Sequence, residues 1–165
     1  MLHDISTPEW QKLFERFKNR AVSYQDIPDL VDPGILSVVK YINTLPGICT
    51  VYSCEGHPFT ADRHGEVQEG PDKGYIFMVV RDNEAHAYLH SILNKVLAWM
   101  WVNVCPNSMF DIEGGLTSGL SDVLMDTHEL YPGVTIRTPM FNNTKVRDRW
   151  WKRFEHYLRI AVKSN

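Results

Sequence analysis

A chain of 165 residues suffices for one domain with a real core, and 44% hydrophobic with 22% charged residues is the ordinary balance of a globular protein. The net charge of -3 excludes a global pull toward nucleic acid, yet the segment from Lys145 onward holds seven Lys/Arg against two Asp/Glu, so a basic patch stays open. Three cysteines, Cys49, Cys54 and Cys105, do not make a disulfide framework and fit a reducing cytoplasm. The charged opening MLHDISTPEWQKL lacks signal-peptide character, and no apolar run approaches the roughly 20 residues that span a bilayer.

Thr7-Pro8-Glu9 predicts a first helix: a capping hydroxyl, proline in the first turn and an acid at the positive dipole end. Trp10, Leu13, Phe14 and Phe17 form its apolar face, and Ser23 to Leu30 reads as loop. Asp32-Pro33-Gly34 is expected to open a second helix in the same way, with Ile35, Leu36, Val39, Ile42 and Leu45 at helical spacing and Pro46-Gly47 as its stop. ICTVYSC (48–54) and GYIFMVV (74–80) are β-branched and aromatic and read as strands, separated by a polar loop from Glu55 to Lys73. Asp82-Asn83-Glu84 caps a third helix with Tyr88, Leu89, Ile92, Leu93, Val96 and Met100 inward. SMFDIE (108–113) reads as a short strand, Gly114 to Gly119 as a turn region and Gly133 to Thr138 as another strand. Asn142-Asn143-Thr144 then caps a long final helix ending near Val162. The order predicts a single domain of α/β or α+β class, residues 1–30 adding a helix and loop to a core at 31–165. Its helices pack on a mixed, largely antiparallel sheet of four to five strands.

The densest chemistry is TVYSCEGHP at the end of the first strand. Alternation puts Ser53 and Cys54 on opposite faces. Gly56 permits a positive φ or close approach of a ligand, and backbone N–H groups in such a turn can cradle an anion. His57 can donate to phosphate and titrates near neutral pH, which also makes it the candidate general acid or base. A Cys54 nucleophile with His57 as its base is a second reading. A third is zinc on Cys54, His57 and His64, with His86 and His90, four apart on the third helix, as further ligands; no second close Cys/His pair completes the spacing, so no metal site is assigned. The plain alternative has Cys54 as a small buried residue, Gly56 as the turn former and His57 on the surface.

EGGLTSG (113–119) matches neither a Walker A loop nor a dinucleotide fingerprint; it is a flexible turn, or it lends amides and hydroxyls, Ser118, Gly119 and Asp122 among them, to the same pocket. Arg137 either points inward to pair with phosphate or carboxylate, or outward to solvent. The last helix carries Arg147, Arg149, Lys152, Arg153 and Arg159 among aromatics, a pattern for RNA contact or simply the wet side of an amphipathic helix whose Trp150, Phe154, Tyr157, Leu158 and Ala161 pack inward. Trp151 lies off that stripe and is expected exposed or at a homodimer interface.

VDPGILSVVKYINTLPGICTVYSCEGH resembles the wybutosine-synthesising methyltransferase family, which modifies a hypermodified guanosine in transfer RNA. That family has an Asp-led helix with an Ile-Asn pair, then a strand ending Ser-Ser-Cys-Ser-Gly-Arg; Ile42-Asn43 and Ser53-Cys54-Glu55-Gly56-His57 occupy those places here. Leu116-Thr117-Ser118-Gly119-Leu120 resembles its Ser-Gly-Ile turn, Val134-Thr135-Ile136-Arg137 its Val-x-Ile-Arg strand, and the closing helix its Asn- and Arg-rich end. The family's Arg is His57 here, its second Ser is Tyr52, and its Gly-Gly-Lys-Trp segment has no counterpart between Phe59 and Lys73. The Ser-Cys-x-Gly-His form of the turn also resembles small phage proteins. The resemblance implies a fold and a site location. The expectation is a cytoplasmic binder of a nucleotide-type small molecule or RNA, with Ser53, Cys54, Gly56, His57, Ser118, Gly119 and Arg137 around the ligand. The alternatives are an S-adenosylmethionine-dependent RNA methyltransferase-like enzyme and a zinc-stabilised interaction module.

Overall fold

The computed structural model describes residues 4–58, 73–103, 111–117 and 131–165. Four helices, α1 (Pro8–Tyr24), α2 (Leu36–Thr44), α3 (Asn83–Asn103) and α4 (Thr144–Lys163), accompany β1 (Ile48–Cys54), β2 (Tyr75–Val80), β3 (Asp111–Thr117) and β4 (Tyr131–Arg137). The class is α+β. β1, β2 and β4 are the three strands that carry the described core. β3 joins the far side of β4 by backbone pairing, in the order β1-β2-β4-β3. Every described pairing is antiparallel, so the expected mixture of directions is not found among the described residues.

Strand alternation divides the core in two. Ile48, Ile76, Met78, Val80, Val134 and Ile136 face α2, α3 and α4, whereas Cys49, Phe77 and Val79 face Trp10, Phe14 and Phe17 of α1. Helix α1 is fastened to the sheet through the indole of Trp10, whose Nε1 donates to the Val80 carbonyl at 2.9 Å. Helix α4 buries Trp150 and Phe154 in a parallel stack, centroids 5.5 Å apart, with Trp151 edge-on to both. Trp151 is fully buried, which overturns its expected place on the surface or at a dimer interface: a helix this aromatic buries a stripe wide enough to take both tryptophans.

Several boundaries differ from the expectation for local reasons. Thr7 and Asn143 cap α1 and α4 as expected, accepting from Trp10 N and Val146 N, and Asp82 Oδ1 accepts from Ala85 N at the start of α3. α1 continues to Tyr24, into the stretch read as loop. Helix α2 begins only at Leu36 and has no side-chain cap, because the Asp32 carboxylate is used elsewhere. The glycines at 114 and 115 belong to β3 instead of a turn, and Gly115 pairs with Gly133. A side chain at Gly133 would overlap the Met78 carbonyl on β2, so the close approach of β4 to β2 requires glycine there.

The outer side of β1 is tied down by two side chains. Lys18 Nζ donates to the Leu45 and Ile48 carbonyls. Asn43 Oδ1 accepts from the Thr50 amide at 2.8 Å and from the Thr50 hydroxyl at 3.1 Å, and its Nδ2 donates to Gln25 Oε1 at 2.9 Å. Beyond Thr50 the register slips by one residue, so Tyr52 rather than Val51 opposes Phe77. Replacement Asn43→Ala leaves a buried amide without its acceptor and is expected to cost about 1–3 kcal/mol of stability in urea unfolding, with the same slope.

Candidate functional site

β1 leads into a turn whose hub is Glu55, a residue that sequence reasoning passed over. The Glu55 carboxylate pairs with Arg147 of α4, Oε1 to Nη1 at 2.8 Å, with the two side chains only 12% and 11% exposed. Its Oε2 accepts from the Gly34 amide at 2.9 Å. The Glu55 amide donates to Asp32 Oδ2 at 2.9 Å, and its carbonyl accepts from Trp151 Nε1 at 2.9 Å. Arg147 also donates to the Gly56 carbonyl at 3.0 Å and, through Nε, to Asp148 at 3.0 Å. Arg147, read from sequence as an RNA contact or a solvated charge, is therefore an interior strut, and Asp32, read as a helix cap, anchors the turn. Both roles depend on partners remote in sequence: the Gly56 carbonyl lies 91 residues from Arg147, and the Glu55 amide 23 residues from Asp32.

Gly56 adopts φ +92°, a conformation that suits glycine, which agrees with the turn-forming role read for it. The expected anion cradle of backbone amides is partly spoken for: Glu55 N–H goes to Asp32 and Gly56 N–H to Cys54 Sγ at 3.4 Å. His57 is exposed, with Nδ1 3.8 Å from Cys54 Sγ. Cys54 is half-buried, in contrast to Cys49, whose thiol is pushed up to about 12 by burial.

Across the sheet, Cys54 opposes Tyr75 on β2, and Tyr75 opposes Arg137 on β4. Directly opposed residues in antiparallel strands share a face, so Cys54, Tyr75 and Arg137 form one row, the two ends about 10 Å apart. Tyr75 and Arg137 are half-buried, and Asp111 is the register partner of Arg137 on β3. The strand ends are locked beside this row: Gly74 N donates to Thr138 Oγ1 and Thr138 N to the Gly74 carbonyl, both at 2.8 Å. Ser53 opposes Ile76 and lies on the other face; with Thr50, Val51 and Tyr52 it lines a cavity at the outer edge of β1, between α1 and α2. Ser118, Gly119, Asp122, His64 and Cys105 lie outside the described residues. The rings of His86 and His90 meet edge to face at 4.6 Å, and among the described residues no group of three or more His, Cys, Asp or Glu is placed to hold a metal ion. No described helix is long and apolar enough to cross a membrane.

No family profile matches the chain, and no curated protein matches it. A solved structure, that of PH1069 protein from Pyrococcus horikoshii, is similar over 92% of this chain and 93% of that one, with 13% identity and a TM-score of 0.44. At that distance the likeness assigns no function.

Two outcomes follow from this geometry. Arg147→Met strands the largely buried Glu55 carboxylate and is expected to destabilise the protein by about 1–3 kcal/mol in urea unfolding, with Glu55→Gln in the same chain restoring part of the loss. At pH 8 the Cys49 thiol, four pH units below its value of about 12, is about one ten-thousandth thiolate. Iodoacetamide followed by peptide mass mapping is therefore expected to modify Cys54 and spare Cys49 until the protein unfolds.

Proposed function

We propose that the chain binds a phosphate-bearing, nucleotide-type ligand, free or within RNA, on the sheet face where Cys54, Tyr75 and Arg137 stand in one row beside His57. The row carries the reading: it unites the turn and the basic strand residue that sequence reasoning singled out separately, and it adds an aromatic ring between them. In this reading the Arg137 guanidinium takes the phosphate through paired N–H donors, and Tyr75 offers a face or edge to the base. His57, exposed at the rim, donates a further hydrogen bond. Cys54 shapes the row and holds the Gly56 amide. Gly56 sets the turn, and the buried Glu55–Arg147 pair keeps it in place before any ligand arrives. Ser53, on the opposite face, has no part in this site.

The test is isothermal titration with adenosine and guanosine monophosphates, a short single-stranded RNA and S-adenosylmethionine. Arg137→Gln is expected to weaken phosphate-bearing ligands by about 10- to 100-fold, the worth of a charged hydrogen bond. His57→Gln should lower affinity less; if the bound ligand is also converted, the same change should reduce turnover by roughly 10²–10⁴-fold with the ligand still held. Unchanged affinity in Arg137→Gln, or binding of the nucleosides as tightly as the nucleotides, overturns the proposal. Binding of S-adenosylmethionine alone would favour methyl transfer.

A further inference from the structure

A cavity of about 230 Å³ lies between the second half of α1, the chain leading into α2 and residues 50–53 of β1. Phe17, Ala21, Val31, Val39 and Val51 make the apolar part of its wall, and Thr50, Tyr52 and Ser53 of β1 add hydroxyl-bearing side chains. Tyr24 and Leu30 line it as well and are 42% and 55% exposed, so the mouth has an apolar rim. At about 30 Å³ for each liquid water, this volume holds about eight waters or an organic body of about eight non-hydrogen atoms.

Two features of the polar groups on this wall agree on what such a body must carry. Arg20 is the one ionisable cation of the described lining, its guanidinium 4.7 Å from the centre of the Tyr24 ring, and no Asp or Glu lines the cavity with it. The first acid of the following loop, Asp26, is paired with Lys40 at 2.8 Å. The second feature comes from a relay of hydrogen bonds. The Thr50 backbone amide can only donate, so it fixes Asn43 with Oδ1 toward β1. Asn43 Nδ2 must then donate, which fixes Gln25 with Oε1 toward Asn43. The –NH2 of Gln25, another lining residue, is left as the group with hydrogens to give. A positive charge and an oriented donor over an apolar hollow call for an acceptor that is negative and small.

We infer that this cavity is a binding site for a small amphipathic carboxylate, its apolar body between α1 and α2 and its carboxylate on Arg20 and Gln25. The site is distinct from the Cys54–Tyr75–Arg137 row: none of those three residues lines the cavity, which takes residues 50–53 at the outer edge of β1 and the helices flanking that edge.

The experiment is a titration of the ¹⁵N-labelled full chain followed by NMR, with hexanoate, hexanol and hexylamine as probes of equal length and different head group. The expected result is that hexanoate moves amides of residues 17–31 and 50–53, binds at least about 10-fold tighter than hexanol, and excludes hexylamine. Arg20→Gln should abolish the preference for hexanoate over hexanol while hexanol still binds; Ala21→Leu, which fills the hollow, should weaken both. The spectrum of each variant shows that it is folded, and Ala21→Leu keeps the test alive if the change at Arg20 perturbs α1. Equal affinity for hexanoate and hexanol, shifts confined to other residues, or no shift with any probe up to millimolar concentration overturns the inference.

Discussion

The constraint on which the rest of the molecule depends is the burial of the Glu55 carboxylate against the Arg147 guanidinium. Charges so far from water are tolerated only when their remaining hydrogen-bonding capacity is met, and here it is: the Gly34 amide takes the second carboxylate oxygen, and the Gly56 carbonyl and Asp148 take further guanidinium hydrogens. The pair joins three parts of the chain that are remote in sequence: the approach to α2, the end of β1 and the first turn of α4. Through Trp151 it also ties the turn to the aromatic stack that seats α4 on the sheet. The direction in which the chain leaves β1, and hence where His57 stands, is set by this junction.

The sheet adds the second constraint. Antiparallel register turns a local strand end into a row of side chains, so residues from β1, β2 and β4 that are far apart in sequence share one face at one level. The same alternation separates Ser53 from Cys54, and the slip at Val51 brings Tyr52 opposite Phe77. Two adjacent residues of one short motif consequently serve different surfaces. A reading that groups them by proximity in sequence merges two sites that the backbone keeps apart.

Elements with strong local signals were legible: α1, α3 and α4 carry their caps and apolar stripes in the sequence, and ICTVYSC and GYIFMVV are recognisable as strands from β-branched and aromatic content. What escaped was decided at long range. Asp32 has the look of a helix cap, yet its carboxylate goes to a backbone amide well down the chain. Trp151 falls beside the apolar stripe of α4, but its indole N–H finds a carbonyl and its ring finds two aromatic neighbours, so burial costs it nothing polar. Gly114 and Gly115 suggested a turn because glycine weakens strands in isolation, yet both pair within β3, Gly115 opposite Gly133 of β4. Of the site, the turn and Arg137 were each visible, whereas Glu55, Arg147 and Tyr75 were not, because their roles exist only in the pairing.

The treatment of β1 has a consequence for the behaviour of the protein in concentrated solution. A border strand with open amides and carbonyls is a template on which another chain can lay down a further strand, the first step toward intermolecular sheet growth. Here Lys18 occupies the Ile48 carbonyl and Asn43 the Thr50 amide, and the irregularity after Thr50 breaks the straight run that a recruited strand would need. The strand is thus blunted by side chains of its own helices over its first half and by its own geometry thereafter, a safeguard against self-association built from the same contacts that fasten α1 and α2 to the sheet.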